Sequence, residues 1–224
     1  MHHLWRRLLC MGLWCVCAAV QAATSPAEQY LTAARRDDES TVVRLLFNGQ
    51  DPNVVDEQGN HALLLAIREG SLKVANFLLD LPLVRVETRN RHGESPLMMA
   101  ALKGELALAR RLIERRAEVN NPGWTPLHYA AASPEAESED MVRLLLEHHA
   151  YIDAASPNQT TPLMMAARYG SSAVVKLLLK EGADTSLRNE QGLTAMDFAQ
   201  AADRPDVARQ LVTTQRLRPS MGLW

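Results

Sequence analysis

One phrase that recurs five times constrains this chain more than its size or composition does. Thr125-Pro126-Leu127-His128-Tyr129-Ala130-Ala131 returns as Thr161-Pro162-Leu163-Met164-Met165-Ala166-Ala167 and is preceded by Ser95-Pro96-Leu97-Met98-Met99-Ala100-Ala101. Weaker copies begin at His61 and Thr194. The second residues of the five phrases lie at 62, 96, 126, 162 and 195, so the steps are 34, 30, 36 and 33. A fixed period of this length marks stacked supersecondary units, each burying its apolar face against the next. Such stacks present extended surfaces, which points to binding before chemistry.

Each part of the phrase has a physical reason. Thr or Ser caps the open N–H groups of a helix, and Pro fits the first helical turn. Paired alanines let two helices approach closely. Downstream, Val174, Val175, Leu177, Leu178 and Leu179 form an apolar stripe at helical spacing. Gly182 then suits a left-handed helix stop, and Gly93, Gly170 and Gly192 mark turns in the same way.

These residues resemble the ankyrin repeat family, whose pattern runs T-P-L-H-x-A-A, a turn, then V-x-L-L-L-x-x-G-A-D; Thr161 to Asp184 matches it best. The resemblance implies an all-α solenoid of six helix-turn-helix repeats, two of them caps, joined by short β-hairpin loops. It covers residues 26–212, with repeats at 26–55, 56–89, 90–120, 121–155, 156–188 and 189–212. The helix pairs fall at 27–50, 62–81, 96–116, 126–149, 162–182 and 195–213, and Val207, Leu211 and Val212 make the stripe of the last. Arg116 and His149 stand where the family places the stop glycine, so a strained left-handed backbone is expected at both. Residues 213–224 lose the pattern and read as a flexible tail.

The irregular steps are informative. The short one comes from Ala117 to Trp124, a hairpin clipped by about three residues. The long one comes from the acidic turn Ser133 to Asp140. Together they span two periods, so the stack returns to phase.

The first 22 residues have a different character. Arg6 and Arg7 precede a 13-residue apolar run, Leu8 to Val20, and Val20-Gln21-Ala22 offers small residues for cleavage. This is the layout of a secretory signal peptide, and the run is short for a membrane helix. All three cysteines, Cys10, Cys15 and Cys17, lie within it, so the exported chain carries neither disulfide nor thiol. Export without disulfides suggests a bacterial periplasm, with secretion beyond it as the alternative. Without Arg6 and Arg7 the chain has 22 basic against 26 acidic residues, a mixed balance that argues against nucleic acid. A monomer free of the membrane after cleavage is expected.

No nucleotide loop, nucleophile elbow or zincin motif occurs, and no catalytic, cofactor-binding or metal residue is assigned. In the family the histidine of the phrase ties hairpin to helix by hydrogen bonds, and the resemblance gives His128 that role. Adjacent His148 and His149 point apart on a helix end. The Met pairs read first as core packing.

A binding face remains. In the family, partners meet the hairpin tips and the exposed positions of the first helix of each pair. By position this implies Arg89, Arg91, Trp124 and Arg188 at the tips, and Tyr129, Arg168 and Tyr169 on the inner helices. The clipped hairpin leaves a notch beside Trp124, flanked by Arg89, Arg91 and Arg168, fit for a protruding acidic or aromatic element. Trp124 as a cover for the neighbouring hairpin fits as well. The expected function is a periplasmic, non-enzymatic adaptor for a protein, in support of a stress-response enzyme or to neutralise a toxin. A secreted effector that binds a host protein is the alternative.

Overall fold

A computed structural model describes residues 25–217, and side chains to residue 214. Residues 1–24, where the signal peptide was expected, and residues 218–224, the end of the expected tail, lie outside the described residues. Twelve helices follow in six pairs: α1 Pro26–Arg35 and α2 Glu39–Phe47; α3 Ala62–Glu69 and α4 Leu72–Asp80; α5 Pro96–Leu102 and α6 Leu106–Glu114; α7 Pro126–Ala132 and α8 Ser138–Glu147; α9 Pro162–Arg168 and α10 Ser172–Lys180; α11 Ala195–Ala201 and α12 Pro205–Leu217.

The odd-numbered helices pack on one another in a row, α1 on α3 through to α11, and the even-numbered helices form a second row behind them. From α5 onward the odd helices are 7 residues long, and the even ones from α2 to α10 are 9 or 10. A shorter inner row curves the stack toward the inner helices and their loops. The core runs between the rows: Ala100, Ala101, Ala130, Ala131, Ala166 and Ala167 allow the close inner approach, and Val174, Val175 and Leu178 seal it from behind.

Capping follows the sequence closely. Ser95 Oγ accepts the Met98 N–H, Thr161 Oγ1 the Met164 N–H and Thr194 Oγ1 the Asp197 N–H. The N–H of the capping residue is met in turn by the third helical residue, through His128 Nδ1 at 3.2 Å, Met164 Sδ at 3.4 Å and Asp197 Oδ2 at 2.7 Å. A thioether thus fills the place of an imidazole in one repeat.

Arg116 and His149 take the left-handed conformation, with φ of 67° and 63°. The longer loop after α4 avoids it: Leu83 there is not among the left-handed residues, and Arg115 clamps the loop by donating to the carbonyls of Leu79, Pro82 and Val84. A polar ladder absent from the sequence expectation links the units. Asn53 Oδ1 accepts the Arg85 N–H, Glu87 Oε2 that of Glu118, Asn120 Oδ1 that of Tyr151 and Asp153 Oδ1 that of Asp184.

Three expectations need correction. Gly170 does not have a left-handed backbone; it is a close-approach site, since a Cβ there would lie 2.1 Å from the Ala131 carbonyl oxygen. Val212 is 37% exposed and not part of the last apolar stripe; Val207 and Leu211, four apart, face inward, and the next residue is turned about 100° away. Residues 213–217 do not begin a loose tail, because α12 continues through Leu217. The connecting hairpins carry a single isolated bridge among the described residues, Val55 with His61.

Candidate partner-binding face

Four loops project beside the inner helices as fingers, each folded over one polar residue. Asp56 Oδ1 accepts the N–H groups of Gln58 and Asn60, Asn90 Oδ1 those of His92 and Glu94, and Asn189 Oδ1 those of Gln191 and Leu193. Ser156 Oγ accepts the Thr160 N–H in the fourth. Neighbouring fingers join through their backbones: Arg91 N–H donates to the Gln58 carbonyl at 2.9 Å, and Glu190 N–H to the Asn158 carbonyl at 3.0 Å. Between these two pairs, residues 121–124 form no finger, so the row is interrupted at its middle.

Below the gap lies a groove of about 260 Å³ lined by Leu102, Trp124, His128, Tyr129, Ala132 and Met165. His128 and Ala132, spaced by four, share one face of α7, Trp124 stands just before its cap, and α5 and α9 supply Leu102 and Met165 as walls. The lining is almost wholly apolar. His128 forms its floor and is fully buried. Its Nε2 donates to the Thr160 carbonyl at 2.9 Å, which leaves Nδ1 as the acceptor for the Thr125 N–H. Burial depresses its pKa against the opposing backbone bonds, so the ring is neutral.

Trp124 meets the His128 ring edge-on, with centroids 5.2 Å apart and planes at 77°. It therefore covers the histidine and walls the groove together. Tyr129 is half-buried; burial first and the Glu94 carboxylate second raise its pKa, with Arg68 opposing, so its hydroxyl stays protonated. The Arg68 guanidinium is engaged by Glu94 at 2.6 Å and by Asn60 Oδ1 at 3.3 Å, and Asn90 Nδ2 links Asn60 to Glu94. This network fixes the groove's neighbours before any partner arrives.

The other expected contact residues are dispersed. Arg89 donates to the Gly93 carbonyl and pairs with Glu87 at 3.0 Å, and Arg188 donates to the Gly192 carbonyl at 2.7 Å, so both brace their own fingers. Arg91 is exposed at the second finger. Arg168 sits 5.2 Å over the ring of Tyr169, itself 52% exposed, at the far end of α9 from the fingers. Sequence reasoning missed Leu102, Ala132 and Met165 as groove walls. Their spacing along the inner helices was visible, but the open space beside them follows from the missing finger. The acidic turn is anchored at its start, where Ser133 Oγ donates to the Leu102 carbonyl at 2.7 Å.

Among the described residues no group of three or more His, Cys, Asp or Glu is placed to hold a metal. No helix among them is long and apolar enough to cross a membrane.

A family model described as Ankyrin repeats (3 copies) matches residues 30–122 and 81–156, and one described as Ankyrin repeats (many copies) matches 145–199. The chain is 35% identical over 127 residues, 55% of its length, to Neurogenic locus notch homolog protein 1 of Xenopus tropicalis. It is 26% identical over 204 residues, 85% of its length, to the Transient receptor potential cation channel subfamily A member 1 homolog of Caenorhabditis elegans. It spans 5% of the first relative and 14% of the second. Among solved structures it is similar to a chain in the complex of a predatory endopeptidase from Bdellovibrio bacteriovorus with an immunity protein. That match has 30% identity and a TM-score of 0.71, and covers 83% of this chain and 97% of the other.

Proposed function

The chain belongs to the ankyrin repeat family, and from that premise we propose that it is an exported, non-enzymatic binding module that holds a protein through the groove beneath its missing finger. The groove carries this reading. An apolar recess with fixed walls, open between two bonded finger pairs, takes a bulky side chain from the apex of a partner's loop. Aromatic anchors of this kind dominate interface energies. The frame is preorganised by caps and by the Arg68–Glu94–Asn90–Asn60 network, so little ordering is required on binding.

The partner is an exported enzyme that the module restrains. Support comes from the similarity to a chain of the endopeptidase–immunity protein complex, which extends over nearly the whole of that chain. The leader of residues 1–22 fits action in the periplasm. The test is crosslinking of the tagged chain in its own compartment, with Trp124→Ala and Tyr129→Ala alongside after both are shown to melt like the parent. One dominant enzyme, lost with both variants and less active when the purified chain is added, is the expected result. A partner retained by both variants removes the groove from the reading. A partner found only in host-cell extract replaces restraint of an exported enzyme with a secreted effector.

A further inference from the structure

The methionines of the solenoid are not equivalent. Met98, Met99, Met141 and Met164 are between 0% and 2% exposed. Met165 is half-buried and lines the open groove beside Leu102, Trp124, Tyr129 and Ala132. Met196 is also half-buried, but it lies on α11 and takes no part in the groove.

We propose that Met165 is an oxidation site that decides whether the groove accepts an apolar side chain, an inference that rests on the groove being the partner's cleft. The reagent is a two-electron peroxide. Hydrogen peroxide transfers one oxygen to Sδ: the O–O bond breaks, an S–O bond forms, the thioether is oxidised by two electrons and the peroxide is reduced to water. The sulfoxide is polar and chiral. An apolar occupant then buries its oxygen away from water with no donor to meet it, and that desolvation opposes binding. The packed methionines are shielded by their neighbours, so the repeat core outlasts the change. A thiol-dependent sulfoxide reductase restores the thioether.

The test treats the full chain with hydrogen peroxide and follows sulfoxide at each methionine by peptide mapping. In parallel 1-anilinonaphthalene-8-sulfonate, an anion whose aromatic body enters apolar recesses, is titrated onto wild type, Met165→Leu, Met165→Gln and Met196→Leu. Sulfoxide accumulates at Met165 and Met196 at least about ten-fold faster than at Met98, Met99, Met141 and Met164, as accessibility dictates. Oxidised wild type and oxidised Met196→Leu bind the dye at least about five-fold more weakly than before treatment, since a buried polar group has replaced an apolar wall. Met165→Leu binds equally well before and after. Met165→Gln binds weakly without peroxide, while its melting temperature matches the parent. The proposal is overturned if Met165 oxidises no faster than the packed methionines, if oxidised wild type keeps its dye, if Met165→Leu loses it, or if the untreated protein binds none. The dye needs no partner, so failure to find the enzyme leaves this test standing. A groove indifferent to peroxide leaves the enzyme reading standing in turn.

Discussion

His61 occupies the place that Thr125, Thr161 and Thr194 hold in later repeats, and it supplies none of their capping. No side-chain bond caps α3, and both ring nitrogens are buried without a hydrogen-bond partner. Burial lowers its pKa to about 4, with the Thr88 backbone opposing from a geometry short of a hydrogen bond. The unfolded chain titrates this ring near its ordinary 6.5. Between those values the unfolded state binds more protons, so stability falls as pH drops from 6.5 toward 4, by about 3 kcal/mol at the lower end. At Asp56 burial pushes the pKa up but the Asn60 and Gln58 donors and Arg35 together hold it below its ordinary 3.8, so its contribution is lost mainly at the acid edge of that window and beyond it. His61→Thr restores a cap worth about 1 kcal/mol. Denaturant titrations at pH 7 and pH 4.5 should find the variant modestly more stable than the parent at the first and clearly more so at the second; parallel pH slopes refute the account. Gly170 makes the opposite demand. Gly170→Ala drives a methyl into the Ala131 carbonyl of the preceding repeat and should cost about 3 kcal/mol, read as a lower urea midpoint. A change below about 0.5 kcal/mol, the size of an ordinary surface substitution, would show that α7 and α9 move apart freely.

At the scale of the element, the helix pairs were legible because three signals agree in the repeats that open at Ser95, Thr125 and Thr161 and recur in part in the others: a capping hydroxyl, an alanine pair and a leucine-rich stripe. The stops were legible where a left-handed residue closes the helix, as at Gly49, Gly182, Arg116 and His149. Arg116 and His149 hold that conformation without glycine's freedom. Arg116→Gly and His149→Gly should each stabilise by about 1 kcal/mol. Their effects should add, because the sites lie in different repeats. Thermal melts of the two single variants and the double variant check this, and a lowered midpoint in either single variant contradicts it. The end of α12 was not legible, since the family pattern stops at Val212 while ordinary helix-forming residues carry the backbone on. Gly170 was misread because a glycine needed for space and one needed for backbone angle look alike in sequence. The rungs Asn53, Glu87, Asn120 and Asp153 were missed because the pairing joins residues more than 30 apart, as with Asn53 and Arg85 at a separation of 32.

For the whole molecule, the missing finger is the feature that separates this stack from a uniform one. The sequence located it through the short step at Ala117–Trp124, and named Trp124 and Tyr129. It did not show that Arg89 and Arg188 are committed to their own fingers, or that Tyr169 lies at the other end of α9. Those assignments depend on which atoms meet after folding, and the repeat pattern alone is silent on them. The gap is compatible with stability because adjacent units are already joined below it, by α5 on α7 and α7 on α9, and by the Asn120 rung to His149 and Tyr151. Stability and the proposed binding are therefore separable here. Inserting three residues between Asn121 and Trp124 to restore a full finger should leave stability within about 1 kcal/mol, since lengthening a surface loop costs little closure entropy. The new finger would stand between those at Asn90 and Ser156 and roof the groove. Binding of an apolar dye and capture of the partner should both be lost while helicity and melting are kept. If the insertion keeps the fold and the partner together, the gap is an accident of repeat length, and the binding face belongs to the finger tips themselves.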